Sequence, residues 1–371
     1  MSKIRLGVIY PMPKEYGVSI RINRLVSKLP SNFELQEIIQ EKWHDSFFGK
    51  IAYLIKQLIL INDKKFKPDI IFGVAPIVTG SIPALYAKFI KKSPLIIDWD
   101  DSFQDFSKKI PMPWNISYWE YRAVVGSDRV IVVSKNLFKI ATKIRNTSKN
   151  LLYLPNGVDI ELFDPKKYNS LKIKASMGLK KEDFIIFYVG HIGKLGNKFV
   201  GKQIVDAASI LVPKYSNIKF VIGGYGKGLN ILKNYVAKNN LKDYFIFLGY
   251  VNEVNVPKYI SIADICIDSL GPSTALNMGN RSSMKLKEYM AMAKACISSN
   301  VGENIIDLDG GECGILIENQ IQLINSLEKL FKDRRLRKKF GDASRKRIVK
   351  TYNLGKQQNI FYDFVKRQLY E

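Results

Sequence analysis

The chain has 371 residues, of which 46% are hydrophobic and 25% charged, and this composition excludes a disordered or fibrous protein. Its length favours two domains, since a domain usually contains about 100–200 residues. The formal net charge of +24 indicates polyanionic partners, namely nucleic acid, an anionic membrane or a phosphorylated substrate, or else simply a solvated lysine-rich surface.

Cysteine and histidine are scarce in this sequence. The three cysteines, Cys266, Cys296 and Cys313, are too few and odd in number for a disulfide framework, so we expect reduced thiols in a cytosolic setting. With only His44 and His191 present, no zinc centre is expected. The N-terminus lacks a secretory pattern, and no uncharged apolar run reaches about 18 residues. We therefore predict a soluble, cytoplasmic protein.

Short apolar runs alternate with helical patterns along the whole chain. Strands are predicted at 4–10, 33–39, 69–75, 94–100, 129–134, 184–190, 218–224, 244–250 and 263–268. Such alternation favours parallel sheets with crossover helices on both faces. Each strand of the second series ends in Gly or a polar residue, where an open α/β sheet holds its ligand.

The fold class expected from this pattern is α/β, with two doubly wound, Rossmann-like domains. We place the N-terminal domain at 1–165 and the C-terminal domain at 166–350. The last segment, 351–371, has the pattern of an amphipathic helix, and we expect it to pack back towards the N-terminal domain.

The segment VGHIGKLGNKFVGK at 189–202 follows a strand and opens a helix. Its glycines let backbone amides approach an anion, and its lysines can pair with that anion, although a flexible solvated loop is the alternative. The segment is neither a Walker A motif nor a strict GxGxxG, which weakens ATPase and dehydrogenase interpretations. A second cluster, GGYGKG at 223–228, predicts a tight turn that permits helix packing.

The most informative segment is NRSSMKLKEYMAMAK at 280–294. A helix that begins near Ser282 or Ser283 has a serine near its N-cap and free amides in its first turn, which together make an anion site. Lys285 adds charge there, and Glu288 can accept hydrogen bonds from ligand hydroxyls such as those of a ribose. The alternative is an ordinary capped amphipathic helix.

Several segments resemble, in order and spacing, those of GT-B-fold, family-4-type retaining glycosyltransferases, also named glycosyl transferases group 1. SSMKLKEYMAMAKACISS is similar to the family's PxKLxEYMAxGKPVI segment, and FYVGHIGKLGNK to its phosphate loop. SDRVIVVSKNLFKIA and LPNGVDIELFDP resemble the end of its N-terminal domain, FLGYVNEVNVPKYISIADICIDS its base-binding strand and following helix, and GILIE its late strand. The resemblance covers most of 120–355 and implies two Rossmann-like domains facing a cleft, with the donor held by the C-terminal domain.

The resemblance implies a hexosyl-type enzyme that moves a sugar from a UDP- or GDP-linked donor to an acceptor hydroxyl with retention of configuration. The acceptor is expected to be a lipid-linked or cell-surface glycan. Neither a cofactor nor a metal is implied, because basic side chains and a helix N-terminus can hold a diphosphate. The alternatives are a nucleic-acid- or polyanion-binding protein, a GT-B-fold sugar-nucleotide epimerase or phosphorylase, and an inactive binding homologue.

The resemblance also implies roles for single residues. Glu288 matches the family's ribose-binding glutamate, while Lys285 and the amides around Leu286 match its diphosphate-binding turn. Lys198 best matches the loop lysine that neutralises the diphosphate, and Lys202 is a second candidate. The implied donor-binding residues are Gly190, His191, Gly193, Lys194, Lys202, Tyr250, Val251, Asn280, Arg281, Ser283, Lys285, Leu286 and Glu288, with Lys198 assigned to catalysis.

Three positions depart from the family pattern. His191 replaces the loop arginine, so Lys194 or Arg281 has to supply the missing charge. The first glutamate of the family's E-x7-E pair falls on Asn280. The N-terminal active-site histidine has no counterpart, and the expected position, after the strand PLII, holds aspartates instead.

These aspartates are Asp98, Asp100 and Asp101. A carboxylate near the reacting carbon can orient the acceptor hydroxyl or accept its proton, and loop capping with salt bridges is the alternative. We predict Asp100 and Asp101 as catalytic, and we assign acceptor binding to Gly17, Asp98 and Trp99. The DxD spelling of 98–100 matches the metal motif of another glycosyltransferase fold, but that fold lacks the NGVD and KLKEYMA segments found here.

Aromatic and basic residues are mixed in the N-terminal half. Trp114, Tyr118 and Tyr121 fall on one face of a predicted helix, with Arg122 beside them. Such a face can rest on an anionic membrane, although residues of this kind more often belong to the core. Together with the net charge, this face favours a peripheral enzyme on the inner side of the cell membrane. No nucleic-acid partner is expected, because no RNA- or DNA-binding module is recognised.

Overall fold

A computed structural model describes residues 3–14, 17–39, 46–75, 77–102, 115–195, 198–268 and 279–369. The chain divides into two units. The first unit comprises Met1–Asn156, Leu276–Ser282 and Leu354–Glu371, and the second comprises Gly157–Ala275 and Ser283–Asn353.

The boundary between the units lies after Asn156, nine residues before the boundary that we predicted. Residues 157–165 belong to the second unit because Val158 and Phe163 are fully buried in its core. In addition, the amide of Val158 donates to the carbonyl oxygen of Tyr352 at 2.8 Å. Apolar burial therefore decides this boundary, and the sequence pattern carries no mark of it.

The first unit contains six parallel strands in the order β2-β1-β3-β4-β5-β6. They are β1 (Ile4–Ile9), β2 (Phe33–Ile38), β3 (Ile70–Ala75), β4 (Leu95–Trp99), β5 (Arg129–Val132) and β6 (Leu151–Tyr153). The helices between them are α1 (Val18–Val26), α2 (Phe47–Asn62), α3 (Val78–Lys91), α4 (Ile116–Gly126) and α5 (Lys135–Arg145). Strands β3, β4 and β5 are buried along their whole length, as expected for parallel strands covered on both faces.

The second unit contains another six-stranded parallel sheet, in the order β11-β10-β7-β12-β13-β14, and a short antiparallel pair, β8 and β9. Its strands are β7 (Phe184–Val189), β8 (Lys194–Leu195), β9 (Lys198–Phe199), β10 (Ile218–Gly223), β11 (Phe245–Gly249), β12 (Ile265–Asp268), β13 (Ala295–Ser299) and β14 (Ile315–Ile317). Its helices are α6 (Ser170–Ser176), α7 (Lys202–Leu211), α8 (Leu229–Lys238), α9 (Val256–Ser261), α10 (Met284–Ala291), α11 (Glu303–Asp307), α12 (Gln320–Lys332) and α13 (Arg334–Thr351).

Both sheets are doubly wound, as predicted. In each of them the strand order reverses at one point, between β1 and β3 in the first unit and between β7 and β12 in the second. Ligands of open α/β sheets bind beyond the carboxyl ends of the strands at such a point. The fold therefore singles out the residues that follow β1, β3, β7 and β12.

The last helix, α14 (Leu354–Arg367), belongs to the first unit. The ring of Phe361 lies 4.9 Å from that of Phe72 in β3, and the ring of Tyr362 lies 4.9 Å from that of Phe33 in β2. Both side chains are buried. The helix thus completes the apolar core of the first unit, although its residues follow those of the second unit in the chain.

The three cysteines are buried and not bonded to one another. Burial raises the pKa of each thiol above its ordinary value, so all three behave as small apolar core residues. Within the described residues, no helix has the length and apolar character needed to cross a bilayer.

Candidate functional site

The loop that follows β7 lies directly on the loop that follows β10. The amide of Gly190 donates to Gly223 O at 3.1 Å, and the amide of Ile192 donates to Tyr225 O at 2.7 Å. In the opposite direction, the amide of Gly228 donates to Ile192 O at 2.9 Å. Three backbone hydrogen bonds thus hold residues 190–193 in place.

Glycine is needed at three positions of the second loop. A methyl group at Gly224 would collide with the carbonyl oxygen of Gly190, and one at Gly226 would lie 2.6 Å from Ile192 O. A methyl group at Gly228 would lie 2.7 Å from Gly193 O. The GGYGKG cluster therefore supports the glycine loop after β7, whereas the sequence had suggested a role in helix packing.

Lys285 lies at the point where the strand order reverses. Its Nζ is 3.3 Å from the hydroxyl of Tyr188 in β7 and 3.6 Å from Oδ1 of Asp268, the last residue of β12. A methyl group added at Gly190 would lie only 3.0 Å from the same Nζ. The second unit therefore holds a partly exposed ammonium group beside the glycine loop.

Asp268 is a site residue that sequence reasoning missed. It is 1% exposed, its Oδ2 accepts a hydrogen bond from Ser298 at 3.3 Å, and its Oδ1 has no hydrogen-bond partner among the residues that the structure describes. A buried carboxylate needs a counter-ion, and Lys285 supplies it. The signal available in the sequence was a polar residue at the end of a buried strand.

Helix α10 has the N-cap that the sequence predicted. Oγ of Ser283 accepts a hydrogen bond from the amide of Leu286 at 3.3 Å, and the Leu286 side chain is fully buried. Glu288 lies three residues after Lys285 and therefore on the same side of the helix. It is buried, so α10 places an ammonium group and a carboxyl group next to each other at its start.

A second buried ion pair lies further along α10. Nζ of Lys287 is 2.5 Å from Oδ2 of Asp307, and both side chains are fully buried. The same Nζ lies 4.9 Å from the ring centre of Tyr352. Burial raises the pKa of Asp307, and the neighbouring ammonium group of Lys287 opposes that rise. This pair, also missed by sequence reasoning, ties α10 to α11.

The other lysines predicted for the donor site differ in their surroundings. Lys194, in β8, is exposed, whereas Nζ of Lys202 pairs with Oδ2 of Asp206 at 2.7 Å. That hydrogen bond raises the pKa of Lys202. The backbone of Lys198 lies in β9, and its side chain is outside the description.

An aromatic row crosses the carboxyl ends of β7, β10 and β11. The ring of Tyr225 lies 5.6 Å from that of His191 and 5.4 Å from that of Tyr250, both in edge-to-face contact. All three residues are exposed, and Val251 follows on the same loop. The sequence had suggested His191, Tyr250 and Val251 as donor-binding residues but not Tyr225.

In the first unit, Arg21 of α1 is the centre of a buried polar network. Its Nε and Nη2 donate to the two carboxylate oxygens of Asp98 at 2.8 and 3.0 Å. Its remaining donors reach Oδ1 of Asn156 at 3.0 Å and the carbonyl oxygen of Leu154 at 2.8 Å. Gly17, which precedes α1 with a φ of +49°, allows the sharp entry into this helix.

Two of the residues predicted for acceptor binding lie inside the first unit. Asp98 and Trp99 are fully buried, and Nε1 of Trp99 donates to Oε1 of the buried Glu120 at 2.6 Å. Both side chains are thus engaged in hydrogen bonds within the first unit, and their part in acceptor binding stays a prediction.

Asp100 and Asp101 lie just beyond β4 and are only partly buried. Oδ1 of Asp100 is 4.0 Å from Nε of Arg21, and its side chain is 14% exposed. Burial raises the pKa of Asp100 to about 7; the negative charges of Asp98 and Asp101 add to this rise, and the guanidinium of Arg21 opposes it. Burial also raises the pKa of Asp101, although Nε of Arg281 lies 3.0 Å from its Oδ2.

The segment before α10 is attached to the first unit. Oδ1 of Asn280 accepts a hydrogen bond from Asn136 at 2.6 Å, and the amide of Asn156 donates to Oγ of Ser282 at 3.1 Å. Arg281 is held by Asp101, as described above. We had expected Asn280 and Arg281 to act with the C-terminal donor-binding residues, whereas the structure pairs both within the first unit.

Some predictions fall outside the described residues or concern exposed positions. Trp114 and His44 are outside the described ranges. Tyr118 and Tyr121 are exposed on α4, and the guanidinium of Arg122 lies 5.9 Å from the ring centre of Tyr118. Among the described residues, no group of three or more His, Cys, Asp or Glu side chains is arranged to hold a metal ion.

Similar proteins are found both by sequence and by structure. The chain is 30% identical over 224 residues to the Escherichia coli UDP-Gal:alpha-D-GlcNAc-diphosphoundecaprenol alpha-1,3-galactosyltransferase, covering 57% of this chain and 54% of that one. It is 24% identical over 331 residues to the capsular polysaccharide biosynthesis glycosyltransferase CapM of Staphylococcus aureus, covering 86% and 82%. The match to the E. coli protein thus spans about half of that protein's length.

The solved structure of Anabaena HepE in complex with UDP and glucose has a TM-score of 0.76, with 12% sequence identity over 98% of this chain and 99% of that one. This likeness confirms the predicted GT-B fold, with one Rossmann-like sheet in each unit. Residues 169–347, which include the glycine loop, the aromatic row and helix α10, match the family described as glycosyl transferases group 1. Over these residues the chain is similar to this family.

Proposed function

We propose that the chain transfers a sugar from a nucleoside diphosphate sugar to an acceptor hydroxyl. The observation that carries this proposal is the position of Lys285, beside Gly190 and above the buried Asp268 where the sheet order reverses. When the sugar leaves, negative charge develops on the nucleoside diphosphate. A fixed ammonium group and a helix N-terminus stabilise such charge without reorganisation.

The donor is proposed to be a UDP-linked hexose. UDP is named as the ligand of Anabaena HepE and UDP-Gal as the donor of the E. coli relative, which supports this choice over a GDP-linked sugar. Glu288, three residues after Lys285 on α10, is proposed to accept hydrogen bonds from the ribose. Tyr250 and Val251 are proposed to contact the base. Transfer is proposed to retain the configuration at the sugar carbon by attack on the same face, without a metal ion.

Asp100 is the proposed acceptor-side group. Its pKa of about 7 lets it exist in both protonation states near neutral pH, as a group that accepts a proton from a hydroxyl must. The E. coli relative is named for a diphosphoundecaprenol-linked acceptor, which supports a lipid-linked glycan here. The proposed location is therefore the inner face of the cell membrane.

A thermal-shift screen against UDP, GDP, ADP and their sugar conjugates, first with EDTA and then with Mg²⁺, tests the donor site. A ligand that binds only the folded chain raises its stability, so a micromolar site gives a clear shift at millimolar ligand. We expect UDP to shift the unfolding temperature without metal. If no nucleotide changes the unfolding temperature while oligonucleotides raise it, polyanion binding would replace the transferase proposal.

Product analysis separates the remaining activities. A transferase forms a new glycoside only when an acceptor is present, and NMR of its anomeric proton reports retention or inversion. Conversion of the sugar nucleotide without any acceptor would identify an epimerase, and dependence on inorganic phosphate would identify a phosphorylase.

A further inference from the structure

Helix α2 has a second apolar stripe, which faces solvent. Phe48, Ala52, Ile55 and Ile59 follow each other at the spacing of one helix face, and all four are exposed, with 79%, 52% and 65% of Phe48, Ile55 and Ile59 accessible. A helix at the surface of a globular protein normally has one apolar stripe, which faces the core.

The core-facing side of α2 is formed by other residues. These are Tyr53, Gln57 and Ile61, each of which is at most 2% exposed. They recur at every fourth position, on the side of the helix opposite to the exposed stripe. The solvent-facing stripe is therefore not needed for packing within the first unit, and a contiguous exposed apolar surface of this kind marks an interaction site.

The neighbouring helix α3 also carries exposed apolar side chains. Nδ2 of Asn62, at the end of α2, donates to the hydroxyl of Tyr86 in α3 at 2.8 Å, and Nζ of Lys91 donates to Asp63 O at 3.0 Å. These contacts join the carboxyl ends of the two helices. Phe89, which is 78% exposed, follows Tyr86 by three residues. We name the surface formed by Phe48, Ile55, Ile59, Phe89 and Ile90 the α2–α3 face.

The surroundings of the α2–α3 face are strongly basic. The stretch 46–92 contains eight lysines and two aspartates, with no arginine or glutamate, which gives a net charge of +6. Lys56, Lys64, Lys65 and Lys92 are exposed. Large exposed apolar side chains, with exposed lysines on α2, in the turn after α2 and at the end of α3, match an anionic bilayer surface, where the apolar groups enter the headgroup region and the lysines meet lipid phosphates.

We infer that the α2–α3 face docks the protein onto an anionic lipid bilayer. A second copy of the chain is a poorer occupant, because its own α2–α3 face would bring a second set of exposed lysines against the first. The inference rests on the proposed function in one respect, since a lipid-linked acceptor gives the enzyme a substrate at that surface. Vesicle binding is measured without donor or acceptor, so failure of one proposal is distinguishable from failure of the other.

Co-sedimentation of the full chain with vesicles tests this inference. We expect binding to vesicles that contain about one third phosphatidylglycerol in phosphatidylcholine, and little binding to phosphatidylcholine alone. The double substitution Phe48→Ser and Ile59→Ser should weaken binding to the anionic vesicles about tenfold, which corresponds to about 1.4 kcal/mol. The matched control is Ile321→Ser, a 71% exposed position on α12 of the second unit, which should bind like the unchanged protein.

A second variant tests the charge. Lys56→Gln, Lys64→Gln and Lys65→Gln together should also weaken binding to the anionic vesicles, and an unchanged unfolding temperature in each variant shows that the fold is intact. Equal binding to neutral and anionic vesicles would overturn the inference, as would full binding by the Phe48→Ser, Ile59→Ser variant. Concentration-dependent dimerisation abolished by the same variant would assign the face to a second copy instead.

Discussion

The two units contain the same kind of parallel sheet, but different groups lie at the carboxyl ends of its strands. In the first unit the edge is a network of side chains, in which Arg21 and Asp98 are buried and pair with each other. In the second unit the edge is made of glycine backbone, one partly exposed lysine and a row of exposed rings. A shared topology thus decides where a ligand can bind, and the side chains beyond each strand decide which chemistry is available there.

The largest effect is expected where a buried charge loses its partner. Arg21→Met leaves the carboxylate of Asp98 buried and unpaired, which should lower the free energy of unfolding by about 3–5 kcal/mol. Urea denaturation followed by circular dichroism measures this. The double variant with Asp98→Asn should recover part of the loss, and a loss below about 1 kcal/mol for Arg21→Met would contradict the network described here.

On the second unit, Lys285→Met should affect nucleotide binding more than stability. We expect UDP affinity to fall about 30-fold by calorimetry, since a charged hydrogen bond to phosphate is worth about 1.5–3 kcal/mol. Adding Asp268→Asn removes the buried carboxylate that would otherwise lose its counter-ion. Lys202→Met is the matched control, and it should cost less than about threefold because Asp206 already neutralises that lysine. Equal losses in both variants would remove Lys285 from the site.

The close contact between Gly224 and the carbonyl oxygen of Gly190 gives a test that changes no charge. Gly224→Ala should weaken UDP binding about tenfold, because the added methyl group collides with Gly190 O and displaces the glycine loop. Gly178→Ala provides the control, since Gly178 also has a positive φ but no atom lies within 4 Å of the added methyl group. If both variants keep the affinity of the unchanged protein, the GGYGKG cluster does not position the loop.

The smallest effect concerns the pH dependence of the first unit. The pKa of Asp100 is raised to about 7, so its contribution to stability is fully present below the ordinary aspartate pKa of about 3.9 and is lost as the pH rises through about 7. Asp100→Asn should remove this loss and become more stable than the unchanged protein at pH 8 by about 1–2 kcal/mol.

Denaturation curves at pH 5 and pH 8 check this expectation. A stability difference that does not change with pH would show that Asp100 keeps an ordinary pKa. Turnover of Asp100→Asn, measured beside its UDP affinity, separates a role on the acceptor from one in donor binding, because only the turnover should fall.

The alternation of strands and helices and the N-cap of α10 were readable in the sequence, because both are local. Periodic apolar residues and a serine before a helix act within a few positions of each other. The strand predictions did not include β6 or β13, since β6 has only three residues and β13 begins soon after the end of α10. The resemblance to the glycosyl transferases group 1 was also readable, because its motifs are short and ordered.

The contacts that give each site its chemistry are long-range. Arg21 and Asp98 are 77 positions apart, and the carboxylate beneath Lys285 comes from another strand of the sheet. The support of the glycine loop by Gly224 and the attachment of residues 280–282 to the first unit depend on which backbones touch after folding. Composition and periodicity set the elements and their order, whereas burial and pairing between distant residues selected which charges face a ligand and which only hold the fold together.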